Sequence, residues 1–296
     1  MKKGKQPLEL YGLLFIAIAL LLPSCRFQRA RRYVNASQAA NIVYLTKKGD
    51  AKITGYYSGD GSKKNDGCNI QGAFALTNHV AIMGSFTFKR ESNYYHYDTV
   101  LFHRNDSASI VQTNLFDSSL LKYHRKTFEA GIGYFTQLNR LRARGKIMFN
   151  AYVGVALGNS TLDDSGLDSN SKPYSRYYNF NNTKWFAQFG FNFMPSPYFY
   201  ASVGGKLSLF HFGTPSTSYT AAEMNYFYLD KVKKQNFFLW EPYANLQFGL
   251  PGCPWLKVDA QLSLTPNFGN DYPKVHTFNG SIGLTMEVPN AFPKHK

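Results

Sequence analysis

A chain of 296 residues is long enough for one large β-domain or two ordinary domains. Its 33 Lys and Arg against 18 Asp and Glu leave +15, but the basic residues are scattered and match no nucleic-acid-binding motif, which favours anionic lipid or lipopolysaccharide as partner over nucleic acid. Aromatic and charged residues are each 17%, and three cysteines outside any Cys-x-x-Cys or His-x-x-x-His pattern argue against a disulfide scaffold, a zinc site or another cofactor.

Lys2, Lys3 and Lys5 precede an apolar run from Leu10 to Leu22. At about 13 residues the run is too short for a spanning helix, which needs ~20, and reads as an export signal. Leu22-Pro23-Ser24-Cys25 follows and resembles a bacterial lipobox, with Pro23 departing from the commonest pattern. The resemblance implies cleavage before Cys25 and lipidation of its thiol; an ordinary secretory signal with a chance cysteine is the alternative. Surface-directed lipoproteins of Bacteroidota-like bacteria resemble one another in an acidic patch after the cysteine. Here Arg26, Arg29, Arg31 and Arg32 follow instead, and no acidic residue occurs before Asp50. The expected anchor is therefore in the periplasmic leaflet, with the arginines on phospholipid headgroups. Residues 1–24 are read as signal peptide, 25–48 as a basic tether and 49–296 as the folded domain.

Ten alternating runs follow. Ile53, Gly55 and Tyr57 share a face in the first. A hairpin supplies the next two, with Ile70, Gly72, Phe74 and Leu76, then Val80, Ile82, Gly84, Phe86 and Phe88, around Thr77-Asn78-His79. Runs at Thr127–Thr136 and Gly145–Leu157 come next, then Trp185–Phe193 and Phe199–Leu209. The last three are Phe238–Phe248, Leu256–Leu264 and Phe278–Met286. Alternate side chains of a strand face opposite ways, so each run has one apolar and one small or polar side. Pro242 inside the eighth run predicts a bulge or break, because proline cannot donate to a ladder.

Connections alternate in length. Thr77–His79, Gln137–Arg144, Met194–Pro197 and Pro251–Pro254 are short, whereas Glu91–Lys126, Gly158–Lys184, Gly213–Gln235 and Pro266–His276 are long and polar. Short periplasmic turns and long outer loops mark an outer-membrane barrel. Lys52, Lys89, Glu129, Lys146, Lys206, Glu241, Lys257, Asp259 and Glu287 fall on the polar faces, and the apolar faces carry almost no charge. The expectation is an all-β, closed, antiparallel up-and-down transmembrane β-barrel of ten strands, integral to the bacterial outer membrane. An eight-stranded barrel with Lys52–Ser58 outside the wall and a soluble periplasmic β-sandwich lipoprotein are the alternatives.

The segments GDAKITGYYSGDG and NIQGAFALTNHVAIMGSFTF resemble the start of small outer-membrane β-barrel proteins of the Bacteroidota type. The likeness is strongest over Lys47–Lys89 and architectural beyond. It implies fold and location, not chemistry.

For sites, the inward charges predict a lumen network of Glu129, Lys206, Glu241, Asp259, Lys257 and Lys146, read either as a polar plug or as the lining of a narrow pore or carrier. Arg142, Arg144 and Lys146 continue toward the periplasmic mouth. Tyr94, Tyr95, Tyr97, Tyr177 and Tyr178 are candidate outer-loop binding residues or an aromatic belt. Asp163, Asp164 and Asp168 lack the regular spacing of a calcium loop and read as a solvated acidic tip. His96, Asp98, His103, Asp106, His211 and His276 show no omptin-like pairing, so no catalytic residue is assigned. Cys68 and Cys253 are expected at opposite membrane levels and unable to pair. The functional expectation is a structural or surface-interaction barrel.

Overall fold

The computed structural model describes residues 35–36, 38–59, 65–96, 116–138, 146–168, 170–227, 229–234, 236–250, 252–266, 275–276 and 278–288. Ten strands form the wall: β1 Ala51–Gly59, β2 Asn65–Ala75, β3 Val80–His96, β4 Phe116–Leu138, β5 Lys146–Asp168, β6 Pro173–Ser196, β7 Phe199–Phe212, β8 Phe237–Leu250, β9 Cys253–Leu264 and β10 Phe278–Val288. Each pairs antiparallel with its neighbours, and β10 closes on β1 from Gly280↔Gly59 to Val288↔Ala51. Because β1 also pairs with β2 along its length, the eight-stranded alternative is excluded. One closed sheet also excludes the sandwich.

The two faces separate by chemistry. Ile282, Tyr57, Phe238 and Trp185 point outward and are each more than 60% exposed. In β4 the outward series runs Phe128, Ala130, Ile132, Tyr134, Thr136, Leu138. Ten residues at ~3.4 Å rise and ~40° tilt span about 26 Å, the height of a hydrocarbon layer. Outward Arg90, Lys122, Lys126 and Asp163 lie just above this belt; within it the described outward positions carry no charge. Such a surface is stable only against lipid, and a sheet in lipid can have no open edge.

Above the belt the wall is uneven. β4, β5 and β6 have 23, 23 and 24 residues against 9 in β1. The stretch Gly158–Lys184, expected as a loop, is therefore mostly strand. Its turn is set by Asp168, whose carboxylate accepts the Asn170 and Lys172 amides at 2.8 Å while Ser171 takes φ 57°. Outward residues here turn polar (Asn159, Thr161, Asn179, Asn181), so the apolar alternation fades although pairing continues.

Pro242 causes no break. It pairs in register with Gly205 of β7, and the β8–β9 ladder begins only at Tyr243. The missing N–H thus falls beyond the end of that second ladder, and the irregularity lies instead at Gly249/Leu250. Gly205 is required at its place: a Cβ there would sit 1.7 Å from the Trp240 ring, which covers it from outside.

The second half of the expected tether is not a tether. Residues 39–45 lie inside the barrel and are 0–5% exposed. With Ala40, Ile42, Val43, Tyr44 and Leu45 they form a core with Ala73, Met83, Phe135, Met148, Phe186 and Tyr243 of the wall. Small and apolar residues after the arginines are what this filling needs, but in sequence they resemble a spacer. Residues 25–34 lie outside the described residues.

The outward orientation makes a testable demand. Val153, near mid-belt and 59% exposed, should tolerate Leu, whereas Val153→Arg should cost about 2–4 kcal/mol of folding stability, read as a lowered urea midpoint in lipid vesicles.

Candidate functional site

The lumen brings together the residues with chemical potential. Among the described residues six cations (Lys52, Lys89, Arg125, Lys184, Lys206, Lys257) and six carboxylates (Asp50, Glu91, Glu129, Asp164, Glu241, Asp259) are buried, equal in number. Glu129 on β4 accepts from Lys206 at 2.7 Å and pairs with Lys184 of β6. The two ammonium groups are held on one carboxylate, and Glu241 stands opposite Lys206 in the β7–β8 ladder, bonded to Ser208 at 3.1 Å. Removing a buried charge from water is costly unless a partner and further hydrogen bonds replace the water, and this cluster supplies both.

Asp259 is bonded by Asn245, Gln247 and, at 2.8 Å, Thr285. Lys257 pairs with Glu287, donates to the Pro254 carbonyl at 2.9 Å and lies 4.3 Å from the Tyr200 ring centre. The six expected network residues therefore do not form one cluster. Glu129, Lys206 and Glu241 neighbour one another, Asp259 and Lys257 occupy a separate region, and Lys146 is exposed at the first residue of β5. Lys146 shares the inward parity of Met148 and Asn150 but stands at the rim. Lys184 falls within the stretch expected as a loop and is therefore absent from the expected network; its even-number parity with Phe186 and Gln188 is the sequence signal for it.

The segment 38–50 is bound by this lining. It has no strand partner over 38–45, so its carbonyls need other donors. Side chains of the wall provide them: Ser263 to Gln38, Gln71 to Ala39, Gln188 to Asn41, Lys52 to Ile42 and Asn192 to Val43, at 3.4, 3.1, 2.7, 2.6 and 2.6 Å. In return the Asn41 amide donates to the Gly72 and Gly84 carbonyls at 3.0 and 2.9 Å, and the Tyr44 hydroxyl meets Asn245 and Ser202. Lys184 donates to the Gln38 side chain at 2.8 Å, joining the segment to the charge cluster.

The outer end carries a cap. Residues 213–236 include α1, Ala221–Tyr226, whose Thr220 and Glu223 form a reciprocal capping box. Tyr219, Phe227, Leu229 and Val232 pack on Leu121, Tyr123, Leu162 and Phe180 of the raised strands. Asp164, expected as solvated, is fully buried and accepts the Tyr219 hydroxyl at 2.7 Å; Arg176 pairs with Glu223 at 2.8 Å. Among the expected outer tyrosines, Tyr94 and Tyr177 are exposed, but Tyr178 is buried and donates to the Leu229 carbonyl at 3.2 Å, so it belongs to the cap. The Tyr95 side chain and Tyr97 lie outside the described residues, as do Cys25, Asp98, His103, Asp106, Arg142, Arg144 and the His96 and His276 side chains. His211 is exposed beside Asn236. No metal-binding group of His, Cys, Asp or Glu occurs among the described residues, and Cys68 and Cys253 are both free.

Wall, belt and lumen define the class: a transmembrane β-barrel of outer-membrane type, filled by its own N-terminal segment. No family model matches the chain, and no curated protein matches it. Among solved structures it is similar to the translocator domain of the autotransporter NalP from Neisseria meningitidis, at 11% identity and TM-score 0.45 over 95% of each chain. It is also similar to Ail, the attachment invasion locus protein of Yersinia pestis, at 14% identity and TM-score 0.29, over 81% of this chain and 99% of that one. OmpT, an outer membrane protein of Vibrio cholerae, aligns at 7% identity and TM-score 0.21, over 81% and 96%. The class assignment itself rests on the closed register and the two faces.

Glu129→Ala should leave two buried ammonium groups without their carboxylate and lower stability by about 3–5 kcal/mol, while Lys146→Ala should leave the urea midpoint unchanged.

Proposed function

We propose that this chain is a lipid-anchored outer-membrane barrel with a closed lumen, acting through its outer surface in a structural or interaction role. The observation that carries the reading is the use of inward polar side chains. Gln71, Gln188, Asn192, Ser263 and Lys52 are engaged by the carbonyls of residues 38–43, where a water-filled pore would leave such groups to solvent and solute. The capped rise of β4–β6, with Tyr94 and Tyr177 exposed, is the shaped surface offered outside.

Acylation of Cys25 supplies the anchor, supported by the lipobox-like Leu22-Pro23-Ser24-Cys25. The partners are the bilayer and lipopolysaccharide. Arg90, Lys122 and Lys126 stand at the outer edge of the apolar belt, at headgroup height, where cations gain from anionic lipid. The likeness of Lys47–Lys89 to Bacteroidota barrels is consistent with this setting. No catalytic role is assigned.

Purified full-length protein in planar bilayers should give no steady unitary conductance. Discrete, ion-selective openings of the unmodified protein would replace this reading with a narrow pore.

A further inference from the structure

The filling segment has a direction. Asn35–Ala36 pairs in parallel with Val275–His276, which lie between the end of β9 and the start of β10, at the long-connection end of the barrel. Gln38 then meets Ser263, one residue from the outer end of β9. Along β6, which descends, the contacts step from Lys184 at Gln38 to Gln188 at Asn41 and Asn192 at Val43. At the other end Lys48 N–H donates to Asn78 and Gly49 N–H to the Ala75 carbonyl, beside the short β2–β3 turn. The described residues 35–36 and 38–50 thus run from the outer mouth to the periplasmic mouth before β1 begins.

We propose that the chain ahead of Asn35 is delivered to the cell surface, so that the acyl group of Cys25 is anchored in the outer leaflet. This rests on the lipoprotein reading for the acyl group, though not for the direction of threading. Cys25 is ten residues from Asn35, a reach of about 35 Å at full extension, ample for the adjacent headgroups. The periplasmic leaflet is closed to it by either route: the lumen is already filled by residues 38–45, and outside the wall four arginines would have to cross hydrocarbon. The filling segment leads directly into β1, the strand that pairs with β10 to close the barrel.

The test uses full-length protein in cells, with Cys68→Ser and Cys253→Ser, carrying Asn35→Cys, Lys48→Cys or, as outer control, Asn170→Cys. A membrane-impermeant maleimide is applied to intact cells, labelled peptides are located by mass, and heat-modifiable gel mobility confirms folding. Asn35→Cys should label like Asn170→Cys, and Lys48→Cys only after the outer membrane is permeabilised. A short epitope inserted after Gln28, detected by antibody on intact cells, reads the same topology without altering Asn35. Labelling of Asn35→Cys and detection of the epitope only after permeabilisation would overturn the proposal. Mass of the N-terminal peptide separates the two claims: surface exposure with an unacylated Cys25 sinks the anchor and its leaflet but leaves the threading, whereas an acylated Cys25 with a periplasmic epitope sinks the threading and leaves the anchor.

Discussion

Every backbone N–H and C=O inside a hydrocarbon layer must find its partner within the protein, and this one requirement organises the molecule. Along the wall it is met by nine antiparallel ladders between consecutive strands and the β10–β1 seam. Within the lumen it is met differently. Residues 38–43 carry carbonyls that no ladder reaches, and Gln, Asn, Ser and Lys side chains from β1, β2, β6 and β9 stand in for a neighbouring strand. An extended segment inside a closed barrel is stable because the wall's inward face was built to receive it.

Charge is arranged under the same economy. Lys184 and Lys206 share Glu129, and Lys184 reaches on to Gln38, so the electrostatic cluster and the filling segment are mechanically one unit. Asp164 performs the corresponding role above the membrane, where its carboxylate fixes Tyr219 and with it the aromatic underside of the cap. Polar fixing points inside two apolar cores give each a single arrangement, which nonspecific packing of Phe and Tyr would not.

Much of the wall was legible in the sequence because its signal is binary. Alternation at Ile53–Tyr57, at Ile70–Phe88 and through to Phe278–Met286 follows directly from lipid on one side and water-like chemistry on the other. Where lipid ends, the signal ends: the strands from Gly158 to Asp168 and from Pro173 to Lys184 look like loop, and Lys184 vanished from the expected network with them. Pro242 looked disruptive because a sequence does not show that the adjoining ladder starts one residue later. The filling segment was the largest loss. Ala39-Ala40-Asn41-Ile42-Val43-Tyr44-Leu45 has no period of its own, since its environment is a surrounding wall and not a two-sided sheet.

The outward orientation of the apolar face can be read with the native fluorophores. Trp185 and Trp240 stand on the lipid-facing side of β6 and β8, and Trp255 is exposed near the lower edge of β9. In vesicles whose acyl chains carry bromine, Trp emission should be strongly quenched, while aqueous acrylamide should quench it weakly. Strong acrylamide quenching with no effect of brominated chains would mean that these rings face water or a protein core, and the account of a lipid-facing wall would be contradicted.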